Sequence, residues 1–115
     1  MKQHLHDSPA LPIDPEEAAA GFAALGSEAR LDVIRLLVRA GPEGMTVGAL
    51  KDATGAAAST LSHHLRFLAQ TGLVEQEKRG RSIICRADFD RIQSLAGYLT
   101  KECCADAPAE QKVSS

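Results

Sequence analysis

The hydrophobic pattern of this chain changes its period at positions 71–72, where Thr and Gly interrupt it. Upstream, three leucines recur at i, i+4 and i+7, the spacing of one face of an α-helix: Leu61, Leu65 and Leu68. Downstream, segments 73–77 and 82–86 are typical of strands, and the basic run KRGR at 78–81 lies between them. The chain therefore predicts an amphipathic helix followed directly by a β-hairpin with a cationic turn.

The chain predicts five helices in all: 16–25, 28–40, 47–54, 57–70, which is the helix with the three leucines, and 89–103. Ser27, Thr46 and Asp88 are suitable N-cap residues, and Gly55 supplies a tight turn between the third and fourth helices. The order predicts a mainly α fold with a β-hairpin wing, a winged helix-turn-helix.

The length of 115 residues leaves room for one domain. We expect that domain at 16–104, with a flexible N-terminal arm at 1–15 and a flexible tail at 105–115. No signal peptide or apolar run long enough to span a membrane is visible, which predicts a cytoplasmic protein with reduced thiols.

The formal net charge of −2 argues against nucleic-acid binding, but the charge is unevenly distributed. Residues 51–86 carry six basic and three acidic side chains, a net charge of +3, whereas 1–50 and 87–115 carry −3 and −2. Because local charge governs contact with phosphates, the middle of the chain is the predicted DNA-binding part.

The fourth predicted helix separates into an apolar face and a face that can reach DNA. Small hydroxyl residues near a helix N-terminus suit phosphate and base-edge contacts, although such residues are also common as simple caps. A basic hairpin tip can contact the DNA backbone, but it can also be only a solvated turn. The predicted DNA-binding residues are Ser59, Thr60, Ser62, His63 and Arg66 of the helix and Lys78, Arg79 and Arg81 of the wing. His64 lies nearer the inner face.

Three runs together resemble the ArsR/SmtB family of winged-helix repressors: ALGSEARL at 24–31, SHHLRFLAQTGLV at 62–74 and KRGR at 78–81. The resemblance covers about 16–104. It implies a homodimer that uses its first and last helices as the interface, and repression that an inducer relieves. The apolar stripe of the last predicted helix independently suits a small domain that needs a partner.

The inducer site has to be identified from this chain's own residues, because the family places such sites at different points of one scaffold. The third helix lacks a Cys-x-Cys-Asp box, the last helix lacks the histidines of a zinc site, and the second helix lacks a cysteine. The remaining candidate is the pair Cys103 and Cys104, a chelate for a soft centre. It resembles the vicinal cysteines of arsenic-responsive members, which implies trivalent arsenic or antimony as inducer and no obligatory cofactor.

The third ligand is left open by the sequence. Arsenic-responsive members often recruit a further cysteine from the tail, and 105–115 contains none. Cys85 is a weak candidate, because the length of the last helix separates it from the pair within one chain. Two protein thiols satisfy methylarsenite, whereas arsenite or antimonite needs a solvent, hydroxide or small-thiol ligand. A zinc site completed by His4 and His6 of the arm is less favourable.

The sequence leaves two alternatives to a metalloid-responsive repressor. A redox- or sulfur-responsive repressor would use the same cysteines and would respond to peroxide or persulfide. A thiol enzyme would need an activated thiolate beside a helix N-terminus or a basic group. Cys103 and Cys104 instead lie at the C-terminus of a predicted helix, whose dipole disfavours a thiolate, so enzyme activity is not expected.

Overall fold

The computed structural model describes residues 12–108. Within that part the chain forms five α-helices and a three-stranded antiparallel sheet. The elements are α1 Pro15–Leu25, α2 Glu28–Ala40, β1 Met45–Thr46, α3 Val47–Thr54, α4 Ala58–Gln70, β2 Val74–Arg79, β3 Ser82–Ala87 and α5 Phe89–Thr100, with a 3-10 turn at Gly41–Glu43. None of the helices in 12–108 is long and apolar enough to cross a membrane. The predicted winged helix-turn-helix fold is confirmed.

The local stop and start signals explain why α2 and α3 have the predicted bounds. The Ser27 hydroxyl accepts the Arg30 N–H, and the Thr46 hydroxyl accepts the Ala49 N–H at 3.0 Å. Gly55 ends α3 in the left-handed conformation that glycine adopts readily. These caps satisfy backbone groups that would otherwise have no partner at the helix ends.

The first helix begins one residue before the predicted start. Asp14 and Glu17 form a capping box, in which the Glu17 N–H donates to the Asp14 carboxylate at 2.8 Å, and Pro15 occupies the first turn. α4 begins at Ala58 rather than at the predicted residue 57. Most of the predicted arm (1–11) and the end of the predicted tail (109–115) lie outside the described residues.

The last helix is shorter than predicted, because α5 ends at Thr100 and not at Cys103. The chain continues in tight turns, with the Cys103 N–H donating to the Thr100 carbonyl and the Ala105 N–H to the Glu102 carbonyl. Cys104 has a φ of 61°, which a continuing right-handed helix does not allow. The two cysteines therefore lie in a turn segment beyond the helix.

The wing is a two-residue hairpin. β2 pairs with β3 from Val74↔Ala87 to Arg79↔Ser82, so only Gly80 and Arg81 form the loop, and Gly80 has a φ of 62°. The predicted four-residue turn was too long, since positions 78 and 79 belong to β2. β1 was not predicted; it pairs with the other edge of β3, and two residues are too few to show a period.

The core lies between the helices and the inner face of the sheet. The predicted α4 stripe is confirmed, with all three leucines buried, and it packs with buried leucines from the neighbouring elements: Leu37, Leu50, Leu73 and Leu95. In α2, Leu31 and Val38 are 42% and 41% exposed. The core face of α2 centres on Val33, Ile34 and Leu37, which leaves those two residues at its edges.

The face of α5 is only partly covered. Leu95 is buried against α1, where a Cβ on Gly21 would lie 2.9 Å from a Leu95 methyl carbon. The absence of that Cβ allows α1 and α5 to approach closely. One turn further on, Leu99 is 71% exposed. The predicted apolar stripe thus supplies both an intrachain contact and an uncovered apolar surface.

Candidate DNA-binding surface and thiol site

The helix α4 presents its predicted DNA-binding residues to solvent. Ser59, Thr60, Ser62, His63 and Arg66 are all exposed. Ala57 occupies the N-cap position, and no side chain caps the helix. The hydroxyls of the first turn are therefore not used as caps, and the first N–H groups of α4 remain available to an anion.

One cleft brings the helix and the wing together. It has a volume of about 700 Å³ and is lined by Ser62 and Arg66 of α4 and Arg81 of the wing. Sequence reasoning missed three polar residues that share this cleft: Thr46, Gln70 and Gln76. Gln70 could have been found, because it lies four residues after Arg66 on the same helix face. The structure thus gathers a polar, cationic groove beside the exposed edge of α4.

The wing cations have different environments. Lys78 and Arg79 are exposed on β2, and Arg79 pairs with Glu77 at 3.2 Å while its side chain stays 63% exposed. Such an exposed pair contributes little energy, so Arg79 can exchange it for a phosphate. Arg86 donates to Glu77 at 2.8 Å and to the Pro42 carbonyl at 2.9 Å. The hydrogen bond from Arg86, and to a smaller extent the one from Arg79, lowers the pKa of Glu77. Through its bonds to Glu77 and Pro42, Arg86 holds the base of the wing.

Thr60 and His64 lie on the other flank of α4, toward α2, where both line a second cleft. The Nδ1 atom of His64 is buried and has no hydrogen-bond partner within residues 12–108. Burial lowers the pKa of His64, with further contributions from Arg30 and His63. The inner position predicted for His64 is therefore observed.

Arg30 connects α1 to α4, a link that sequence reasoning missed. Its Nε donates to the Ala24 carbonyl at 2.6 Å, and its guanidinium lies 4.5 Å from the centroid of the Phe67 ring. His63 packs edge-on against the same ring, with 5.9 Å between centroids. Arg30 of α2 thus links the end of α1 to the aromatic cluster of α4.

The two C-terminal thiols are close together. The Sγ atoms of Cys103 and Cys104 lie 3.5 Å apart, Cys103 is exposed and Cys104 is half-buried. Cys85 is fully buried on β3, where the Gln76 amide donates to its sulfur at 3.6 Å and burial raises its pKa. None of the three cysteines is in a disulfide. Within residues 12–108 no cluster of three or more His, Cys, Asp or Glu could hold a metal ion; His4 and His6 lie outside the described residues.

The sequence and the fold match known regulators. A helix-turn-helix domain family matches residues 25–77. The nodulation protein NolR of Rhizobium meliloti is 34% identical over 95 residues, which cover 77% of this chain and 75% of NolR. An ArsR-like transcriptional regulator from Rhodococcus sp. RHA1 superposes with a TM-score of 0.66 at 28% identity, covering 79% of this chain and 82% of that one. The chain belongs to the ArsR/SmtB family of winged-helix transcriptional regulators.

A further ArsR-family match concerns assembly. The homodimeric winged helix-turn-helix domain of Mb0332 from Mycobacterium bovis, a possible ArsR-family regulator, superposes with a TM-score of 0.60 at 29% identity. That match covers 76% of this chain and 81% of the Mb0332 domain. Family membership makes the chain a DNA-binding transcriptional regulator and not an enzyme. In this family fold, α3 and α4 form the helix-turn-helix, and β2 and β3 form the wing.

Proposed function

We propose that this ArsR-family regulator is a homodimeric repressor that leaves its operator when Cys103 and Cys104 bind a trivalent arsenic or antimony species. The observation that carries the proposal is the pair of thiols on adjacent residues, with their sulfurs 3.5 Å apart in a turn beyond α5. Thiolates are the ligands that soft centres prefer. The turn frees both side chains from the diverging directions that a regular helix imposes.

The sulfur separation suits one bridging atom. Two sulfurs bound to one tetrahedral zinc ion lie about 3.8 Å apart, given Zn–S bonds of about 2.3 Å. A three-coordinate pyramidal centre has narrower angles and brings the sulfurs closer together. The observed 3.5 Å therefore requires little movement when a pyramidal As(III) or Sb(III) centre binds.

The binding reaction exchanges oxygen for sulfur without a change of oxidation state. Each thiol forms one As–S bond while one As–O bond breaks. The departing hydroxyl takes the thiol proton and leaves as water. Methylarsenite, with two hydroxyls, is fully substituted by Cys103 and Cys104 and keeps its methyl group. Arsenite or antimonite retains one hydroxyl, which a small thiol can replace.

The geometry disfavours a disulfide between the same cysteines. Neighbouring Cα atoms across a trans peptide are about 3.8 Å apart, below the roughly 4.4–6.8 Å that disulfides usually span. No cis peptide bond is present in the described chain. A metalloid centre tolerates this short separation better than an S–S bond does. A redox response through a disulfide between these two cysteines therefore takes second place to metalloid binding.

Cys85 of the same chain is not a suitable third ligand. It is fully buried in the core, and its raised pKa keeps the thiol protonated. Metal and metalloid ligation needs the thiolate and access to solvent. The third position is thus assigned to hydroxide or a small thiol.

The proposed homodimer uses the uncovered surface of α1 and α5. Leu99 is 71% exposed and lies one residue before the end of α5, just ahead of the turn segment that contains the two thiols. A dimeric reader needs its two α4 helices about 34–36 Å apart, one turn of DNA. Drawing both thiols onto one atom would change the end of α5 beside this interface. The inducer lowers operator affinity by the factor by which it binds the DNA-free regulator more tightly than the DNA-bound regulator.

Mass spectrometry of the intact reduced chain tests the inducer site directly. Methylarsenite should add one arsenic per chain, and Cys103→Ser, Cys104→Ser or the double variant should abolish a stable adduct. Cys85→Ser is the matched control and should keep full binding, since its thiol is buried. An adduct that survives in the double variant, or that is lost in Cys85→Ser with a folded spectrum, would contradict the assigned site.

A further inference from the structure

A cleft separate from the thiols lies between α2, the turn after α3, and the start of α4. Its volume is about 410 Å³. The apolar part of its lining includes Val33 and Leu36 of α2 and Leu61 of α4. Ligand pockets typically measure about 300–1,000 Å³ and combine apolar walls with a few polar groups. The cleft is therefore large enough for a small organic molecule.

The polar lining of this cleft is mainly cationic. Arg35, Arg39 and Asp32 of α2 contribute to it, which gives a local charge of +1. In the part of the chain that the structure describes, none of these three side chains is in a salt bridge. Two guanidiniums without carboxylate partners beside an apolar wall are suited to an anion, because guanidinium binds carboxylate through two parallel hydrogen bonds.

His64 supplies a second, independent observation. It lines the same cleft, and its buried Nδ1 has no hydrogen-bond partner within 12–108. Buried polar atoms in folded proteins almost always have a partner, from the protein or from an ordered molecule. Because Nδ1 is closed to solvent, a molecule bound in the cleft can satisfy this atom only if the His64 ring turns toward it.

We propose that this cleft is a second effector site, which binds a small organic monocarboxylate with an apolar body. The carboxylate pairs with Arg35 and Arg39, and the apolar body packs on Val33, Leu36 and Leu61. Asp32 disfavours ligands with two or more negative charges. The inference does not depend on the thiol site, because no residue is shared.

The position of the cleft predicts an effect on DNA binding. Thr60 and His64 belong to α4, the recognition helix, and Thr60 is also a predicted DNA-binding residue. A ligand held between α2 and α4 competes for Thr60 and fixes the angle between the two helices. Operator affinity should fall by about fivefold or more, the lower end of typical coupling between two sites.

Nuclear magnetic resonance of the full chain tests the site, with benzoate and phenylacetate as probes. Saturable shifts are expected at the Thr60 amide and the His64 imidazole nitrogens. They should disappear in Arg35→Gln/Arg39→Gln and persist in Arg79→Gln, which removes an exposed wing cation. The uncharged analogue benzamide should bind much more weakly. Arg35→Lys/Arg39→Lys keeps the charge and serves if the glutamine variant fails to fold.

Three results would overturn the proposal. Equal binding of benzamide would show that the carboxylate is not recognised. Shifts that survive loss of both arginines would place the anion elsewhere. Shifts produced by inorganic phosphate but not by benzoate would show a phosphate contact, such as a DNA backbone contact, instead of an effector pocket.

Discussion

The guanidinium of Arg30 lies 4.5 Å from the centroid of the Phe67 ring and also donates to the Ala24 carbonyl at 2.6 Å. Arg30 thereby touches the end of α1 and the second half of α4 at once. In the proposed dimer α1 belongs to the subunit interface, whereas α4 reads DNA. The arginine thus contacts the elements that carry both functions.

Replacement of Arg30 by lysine should destabilise the chain by about 1–2 kcal/mol. A cation–π contact contributes about 0.5–1 kcal/mol and a net hydrogen bond about 0.5–1.5 kcal/mol, and lysine cannot make both with one planar group. Urea unfolding of Arg30→Lys, Phe67→Leu and the double variant gives the coupling energy. Additive effects of the two substitutions would mean that the ring and the guanidinium do not interact.

Arg66 and Arg81, which line the cleft between α4 and the wing, should each strengthen operator binding. Arg66→Ala or Arg81→Ala should weaken it by roughly 1–3 kcal/mol, depending on whether a base or a phosphate is contacted. A lost phosphate contact should also reduce the salt slope by about one per protomer. Lys101→Ala removes one charge away from this surface and should leave the slope nearly unchanged. A similar loss in all three variants would indicate only a general charge effect.

Leu95 and Leu99 lie one turn apart on α5 and should behave differently. Leu95 is 2% exposed, so Leu95→Ala should destabilise the fold by about 2–5 kcal/mol. Leu99 is 71% exposed, so Leu99→Asp should leave a folded chain and shift it from dimer to monomer. Sedimentation velocity and circular dichroism distinguish the two effects. A Leu99→Asp protein that stays fully dimeric would exclude this part of α5 from the interface.

The three thiols should react in two classes. In the folded protein a soluble disulfide reagent should modify the cysteines at 103 and 104 quickly, whereas Cys85 is buried and its pKa is raised. Cys85 should react only after unfolding in urea. The Cys103→Ser/Cys104→Ser variant should therefore show no fast phase. A fast phase in that variant would show that the core around β3 opens readily.

Acid should weaken the fold through His64. Its pKa in the folded state is below the ordinary value of 6.5, so the unfolded chain binds the proton more tightly. The stability contributed by neutral His64 is complete above about pH 6.5 and is lost as the pH falls below that value. Urea midpoints at about pH 7.5 and about pH 5.5 should differ less in His64→Gln than in the wild type. An equal reduction of the midpoint difference in His63→Gln would show that the pH dependence does not come specifically from His64.

The sequence predicts those parts of the fold whose signals are local. Ser27 and Thr46 cap α2 and α3, Gly55 ends α3, and these residues give the correct bounds without any tertiary information. The end of α5 has no such signal, because the chain continues through Lys101 and Glu102, which favour helix. The turn hydrogen bonds after Thr100 and the positive φ of Cys104 show in the structure that the helix has already ended.

Contacts between distant segments could not be predicted in the same way. Arg30 and Phe67 lie 37 positions apart, and their contact depends on how α2 crosses α4. The functional groups of the site could be identified from the sequence: hydroxyls on α4, cations in the wing and two adjacent thiols. Which flank of α4 each hydroxyl occupies was not visible, so the separation of Thr60 from the cleft containing Ser62 and Arg66 required the structure.

We expect a trivalent metalloid bound to Cys103 and Cys104 to release the regulator from its operator. Fluorescence anisotropy of labelled operator DNA measures this, with arsenite, antimonite, methylarsenite and zinc titrated against the wild type and Cys103→Ser/Cys104→Ser. We expect at least one trivalent metalloid to release the wild type, and none to release the double variant. Normal release of the double variant, or a wild type that responds to peroxide or persulfide and to no metalloid, would contradict it.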